Sequence, residues 1–364
     1  MKICFYSPYL GKHFGGGEKY LLDVAQIYAN HKHQVFMAIR ANLDLNIEEI
    51  KKKYSHFFNL NLDQINFITT PVGTSAKFLK KLLWTRQFQC LYYQTDGSLF
   101  FSLARKNILH IQIPLRLYKR NLIEKLKLFN WSIKNTNSFY TKKVTEKYWN
   151  CKINLVHHPM ADIGSTVIDL DKKEKIILTV GRFFNHLHCK KQDCLVDFFN
   201  RMLKKYPQTT KGWKFVLVGH IEDEKYARFV MNKVHNQDRI KIYFSASRNE
   251  LINFYQKAAI YWHAAGFQVD QNLHPERVEH FGISTLEAMA YGCVPIVIGK
   301  GGQVEVLGRK LKDLSWISEK ECLKKTFDLI KSSKKLKEKQ KMSLERAKKF
   351  SFNNFETKAL EMLK

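Results

Sequence analysis

Short apolar runs recur along the chain between longer stretches whose apolar residues return with a helical period. KICFYSPYL, HQVFMAIR, INFITT, CLYYQTD, KNILHIQIP, TNSFYT and KINLVHH come first, then KIILTVGRF, KFVLVGH, IKIYFSA, AIYWHAA and PIVIGKGG. Strands interleaved with helices predict parallel sheets joined by crossover helices. The series restarts near residue 174. The preceding HHPMADIGSTVIDLDKKE is polar, carries Pro159 and Gly164 and has no clear period, so it reads as a linker. The pattern predicts an α/β chain of two Rossmann-like, doubly wound domains facing a cleft, over residues 1–165 and 166–345, with a separate helix at 346–364. Ligands of such sheets sit beyond the C-terminal strand ends. That places the Gly15–Gly17 turn, His110 and the pair Gly181 and Arg182 around one cleft.

At 364 residues, with 45% apolar residues, the chain is long enough for two cores. No apolar h-region follows Met1 and no window approaches 18 uninterrupted apolar residues, so the expectation is a cytoplasmic protein without signal peptide or membrane span. Seven cysteines without CxxC spacing argue against a zinc site or disulfide framework and for reduced core thiols.

The formal net charge of +28 changes the picture, because it admits nucleic acid, an anionic membrane surface or anionic substrates as partners. A compositional origin has to be weighed against these, because 48 Lys against 13 Arg, beside abundant Asn, Ile, Phe and Tyr, is also what an AT-rich coding sequence would produce. The excess is nevertheless uneven, with 18 basic and 4 acidic residues in 51–150 and 5 of each in 1–50. The basic segment contains SAKFLKKLLWTRQFQCLYY and LRLYKRNLIEKLKLFNWSIK, where cations alternate with Leu, Phe and Trp. It reads either as surface helices with a solvated face or as interfacial helices at an anionic membrane. No helix-turn-helix, zinc finger or ribonucleoprotein motif accompanies the charge, so no nucleic-acid partner is expected.

Two stretches carry candidate chemistry. In GGGEKYLLDVA, residues 15–25, three glycines separate a buried strand from an amphipathic helix. They supply positive φ for a sharp reversal, or they clear room for an anion at the helix N-terminus; the spacing matches neither GxGxxG nor a P-loop. In HPERVEHFGISTLEAMAYGCVPIVIGKGG, Glu279 lies in the loop entering a helix and Glu287 in its second turn. Backbone N–H groups near Gly282, Ile283 and Ser284 form an anion site at that helix mouth.

The E-x7-E within EHFGISTLEAMAYGCVPIV, with IYWHAAGF ahead of it and VGRFFNHLHCKKQD earlier, closely resembles retaining glycosyltransferases of family 4, which have the GT-B fold. NSFYTKKVTEKYW, NLVHHP and a last helix, FSFNNFETKALEML, extend the resemblance over the whole chain in order. It implies that Glu287 hydrogen-bonds the donor ribose, that Glu279 faces the transferred sugar, and that backbone at Phe281, Gly282 and Ile283 holds donor phosphate or sugar. Arg182 would pair with a lysine that is Lys191 or Lys190. Gly16 and Gly17 would approach the donor phosphates, His110 would lie near the reacting sugar, and the last helix would cross back to the first domain.

No DxD motif stands in the interior, since DLD at 169–171 falls in the linker. The expectation is therefore metal-independent transfer without a cofactor, the leaving diphosphate being stabilised by cations and helix N-termini. The implied activity is hexosyl transfer from a nucleotide sugar, with GDP-mannose favoured by the EHFGI form over a UDP-sugar, to a lipid-linked or surface-glycan acceptor at the inner face of the membrane. The rival readings are a nucleotide-sugar epimerase, a silent scaffold and a nucleic-acid-binding protein. His157 and His158 read as linker residues. His263, His274 and His280 lie near the site with no role beyond hydrogen bonding.

Overall fold

The structure, a computed structural model, describes residues 1–12, 14–43, 46–117, 121–161, 167–234 and 237–364. Gly164 of the expected linker lies outside them, as do Lys119 and Arg120 of the basic stretch. The chain divides into two compact units, Met1–Pro159 with Asn353–Lys364, and Met160–Phe352.

The first unit runs β1 (Lys2–Tyr6), α1 (Gly16–Asn30), β2 (Gln34–Arg40), α2 (Ile47–Phe58), β3 (Ile65–Thr70), α3 (Phe78–Arg86), β4 (Cys90–Gln94), β5 (Lys106–Ile111), α4 (Leu122–Asn130), β6 (Ile133–Thr136), α5 (Phe139–Trp149) and β7 (Leu155–Val156). Its sheet is wholly parallel in the order β3-β2-β1-β4-β5-β6-β7. Strands such as KICFY and CLYYQ are almost continuously apolar because helices cover both faces of such a sheet.

The second unit runs β8 (Glu174–Val180), α6 (Gln192–Lys205), β9 (Lys214–Gly219), α7 (Glu224–Val234), β10 (Ile240–Phe244), α8 (Arg248–Lys257), β11 (Ala258–His263), α9 (Ile283–Ala290), β12 (Val294–Ile298), α10 (Gln303–Leu307), β13 (Ser315–Trp316), α11 (Glu319–Ile330) and α12 (Ser333–Ala347). Its parallel order is β10-β9-β8-β11-β12-β13. The last helix, α13 (Phe352–Glu361), lies almost entirely in the first unit, whereas residues 346–352 belong to the second.

In each sheet the winding direction reverses once, between β1 and β4 and between β8 and β11. Both are the doubly wound arrangement read from the pattern, and such switch points are where these sheets bind ligands.

Three local expectations differ from the structure. TNSFYT is not a strand: β6 ends at Thr136, and Ser138 caps α5 by accepting the N–H of Thr141 at 3.0 Å. The β-branched and aromatic residues imitate a strand, but the cap satisfies backbone donors that a ladder would otherwise need. His157 is not a linker residue. It is fully buried; its Nε2 donates to the Phe355 carbonyl at 2.9 Å, so its Nδ1 accepts from the Tyr20 hydroxyl at 2.6 Å, tying α13 to α1. Finally, Gly15–Gly17 supply no positive φ, since Gly15 is extended at φ −128° and Gly16 opens the helix.

Candidate functional site

At the first unit's switch point the glycines serve close approach. A Cβ on Gly17 would come within 2.8 Å of Gln94 Nε2, at the end of β4, and 3.8 Å of Gln112 Cγ. The Gly15 N–H donates to the Glu18 carboxylate at 2.9 Å, while Gly16 and Gly17 begin the helix, where N–H groups have no intrahelical acceptor. His110, in register with Gln94 at the end of β5, is fully buried and stacks on Tyr20 at 4.1 Å. Its Nδ1 lies 2.5 Å from Asn135 Oδ1 and its Nε2 2.8 Å from Gln112 Oε1.

Burial lowers the His110 pKa to about 4 against the opposing hydrogen bonds of Asn135 and Gln112, so the ring is neutral and carries one N–H. Tyr20 gives its one proton to His157, and the Tyr92 hydroxyl lies 3.4 Å from Asn135 Oδ1; the single ring N–H of His110 can serve only one of the two amide oxygens, and Asn135 Oδ1 is the nearer. The structure thus joins Gly17 to His110 through Gln94 and Gln112, two residues the sequence reading passed over.

The second unit's switch point is built of charges. Gly181 and Arg182 follow β8. The stem of Lys190 lies where any side chain on Gly181 would stand, its Cγ 2.6 Å from that Cβ position, and the ammonium ends in an ion pair with Glu279. Lys191 instead occupies the N-cap of α6 in the left-handed region, φ 56°. Of the two lysines left open by the sequence, Lys190 therefore meets the glutamate.

His263, the last residue of β11, presents Nε2 3.1 Å from Glu279 Oε2. Its Nδ1 accepts from the Ala265 N–H at 3.2 Å and from the Gln303 amide, which places the ring proton on Nε2, toward the carboxylate. Gln303 is oriented in turn by the Thr285 hydroxyl, which donates to its Oε1 at 2.6 Å. Burial pushes the Glu279 carboxyl up, but Lys190, His263 and His188 together outweigh it and hold it well below the usual carboxylate range. Burial first, and Lys190 after it, depress His188, whose ring meets that of His280 at 5.3 Å.

Gly282, at φ 101°, caps α9, and Phe281 before it is buried. Ile283 opens the helix, and Ser284 accepts the Tyr261 hydroxyl at 2.8 Å. Glu287, in the second turn, is held 2.7 Å from Arg248 Nη1, and its Oε2 accepts from the Tyr255 hydroxyl at 3.0 Å. Arg182 is paired with Glu222 at 2.6 Å and lies 4.9 Å over the Phe184 ring. The structure brings Arg182, Lys190, Glu279, Gly282 and Glu287 to one end of this sheet. It adds Glu222, Arg248 and Gln303, none visible as a motif, and gives His263, read from the sequence only as lying near the site, a partner in Glu279.

The sequence profile of the family described as glycosyl transferases group 1 matches residues 165–349, just over half of the chain. The chain belongs to that family. Among curated relatives, a GDP-Man:Man(3)GlcNAc(2)-PP-Dol alpha-1,2-mannosyltransferase of Neurospora crassa is 24% identical over 195 residues, covering 46% of this chain and 33% of the relative. The enzyme of that name from Dictyostelium discoideum is 21% identical over 240 residues, 62% of this chain and 45% of the relative. The chain thus aligns with under half the length of either.

Among solved structures, a glycosyltransferase from Rickettsia africae and the Anabaena protein HepE in complex with UDP and glucose each superpose with a TM-score of 0.70 at 15% identity. Both comparisons cover all of this chain, with 98% and 99% of the other. At that identity they establish the fold, which is GT-B.

Proposed function

We propose that this group 1 glycosyltransferase moves a hexose from a nucleotide sugar to a lipid-linked or surface-glycan acceptor with retention of configuration, and that it does so without a metal or other cofactor. The observation that carries the reading is the mostly buried Lys190–Glu279–His263 cluster beside Arg182, at the second unit's switch point. Each carboxylate there has its own cation, so a diphosphate entering beside Arg182 and Lys190 exchanges partners rather than meeting bare negative charge. As the bond from the sugar's anomeric carbon to phosphate oxygen breaks, negative charge grows on the leaving diphosphate, and fixed cations with the α9 N-terminus stabilise it. The acceptor oxygen bonds the same carbon on the same face, and its proton passes to the leaving phosphate oxygen. In this reading Glu279, held ionised by Lys190, binds sugar hydroxyls, and Glu287 binds the ribose.

The relatives named for GDP-Man favour GDP-mannose over UDP-sugars as donor. Thermal stabilisation of the purified chain by GDP- and UDP-sugars, with and without EDTA, tests donor and metal together. Stabilisation by a GDP-sugar that EDTA leaves unchanged is expected; a shift abolished by EDTA overturns metal independence, and a shift with UDP-sugars alone overturns the donor. The anomeric configuration of the product, read by NMR, decides retention. In Arg182→Ala, turnover should fall more than donor affinity, because the charge that Arg182 meets grows in the transition state; equal loss in both would reject that role.

A further inference from the structure

The helix α4 is built with its polarity reversed. Inward it presents Leu128 and Glu124, whose carboxylate is paired with Lys127 at 2.6 Å. Outward, on one helical face, it presents Leu122, Ile123, Leu126 and Phe129, with Phe129 86% exposed and Leu122 71% exposed. On α3, Phe78, Leu79 and Leu83 are exposed likewise.

The two helices lie on the same face of the first unit's sheet, since Trp84 of α3 and Leu128 of α4 pack on one core with Leu91, Tyr93 and Leu109. The segment 99–104 stitches them together. The Leu103 N–H donates to Thr85 Oγ1 at 2.8 Å, the Ser102 N–H to Asn130 Oδ1 at 2.7 Å, and Phe101 meets Phe78 at 6.4 Å. Leu103, 44% exposed, stands between them. The apolar side chains thus form one surface rather than scattered exposures.

Its charge is one-sided. From residue 76 to 131 the chain has Asp96 and Glu124 as its only carboxylates, one half-buried and one buried, whereas Lys77, Lys80, Arg86, Arg105 and Lys125 are exposed. A second copy of this surface would set like charges against one another, and nucleic acid would leave the leucines and isoleucine without a contact. From this geometry we infer that α3, α4 and the strap 99–104 dock on an anionic lipid bilayer, the leucines and phenylalanines entering the headgroup boundary and the cations meeting lipid phosphate. Among the described residues no helix is long and apolar enough to cross a membrane.

The inference does not depend on donor or acceptor. Co-sedimentation of the purified full chain with phosphatidylcholine vesicles, and with phosphatidylcholine containing phosphatidylglycerol, tests it. The chain should bind the second kind and bind the first at least about tenfold more weakly. Leu126→Glu/Phe129→Glu and Lys80→Glu/Lys125→Glu should each weaken binding by about tenfold or more while leaving the melting temperature and the nucleotide-sugar shift of the wild type intact. Equal binding to both vesicles, or unchanged binding of either double variant, overturns the inference. So does a wild-type dimer in sedimentation velocity that becomes monomeric in Leu126→Glu/Phe129→Glu and fails to bind vesicles in either form.

Discussion

The two sheets share a topology and a switch point, yet the first unit fills that point with neutral hydrogen bonds and the second with ion pairs. Around His110 the buried groups are Tyr20, Tyr92, Asn135 and His157, all uncharged. Around Glu279 stand the buried His263 and the mostly buried Lys190, with Arg182–Glu222 and Arg248–Glu287 beside them. A buried neutral network fixes geometry and resists acquiring charge. Buried ion pairs cost desolvation, and their worth lies in fields already in place when charge develops elsewhere. One fold therefore separates orienting from charge stabilisation by the kind of polar group placed at equivalent strand ends.

The sharpest way to break this contrast is Lys190→Met. It leaves the Glu279 carboxylate buried without its cation, which should cost about 3–5 kcal/mol in urea unfolding, with turnover falling by about a hundredfold or more. Lys191→Met, at the helix cap, should cost less than about 1 kcal/mol. Similar losses in both would mean that the buried pair is not what organises the second unit.

Acid should strain the first unit through its buried histidines. His110 is held by burial to about 4 and His157 to about 3, below the ordinary value of 6.5, so the unfolded chain takes up these protons first. The stabilisation is complete above pH 6.5 and lost as pH falls toward 4, by roughly 3 kcal/mol for a fully buried ring. Thermal unfolding of His110→Gln should show a shallower decline over that window; an unchanged slope would show that His110 is protonated in the native state.

Smaller effects follow at the two ligand ends. Glu287→Gln should weaken donor binding by about tenfold with turnover nearly unchanged, since the ribose contact proposed for it would be made equally in ground and transition states. Isothermal titration with the donor nucleotide measures it, and a fall confined to turnover would reject the assignment. Gly17→Ala should cost about 1 kcal/mol, because the new Cβ must displace the Gln94 amide, and Gln94→Ala in the same chain should restore the loss. Additive costs would show that the two residues do not meet.

Much of the site was legible because its signals are local. Glu279, Gly282 and Glu287 lie within nine residues, and the apolar runs around them announce a strand, a turn and a helix mouth. The contact between His263 and Gln303 was not legible, the two being 40 residues apart and joined only because β11 and β12 are neighbours. Glu222 and Arg248 lack any motif for the same reason. The misreading of TNSFYT has the opposite cause: a strong local β preference yielded to Ser138, whose cap needs one side-chain oxygen and no distant partner.

By itself the sequence determined the two doubly wound sheets, the family and the glutamates of the helix mouth, because apolar period, turn chemistry and short-range spacing act over a few residues. The tertiary structure alone decided which of two adjacent lysines meets Glu279, that His157 anchors the last helix, and that α4 turns Leu122 and Leu126 outward. Those outcomes depend on which strand ends become neighbours and which helix face a sheet has room to bury, and no stretch of chain carries that information without the rest of the fold.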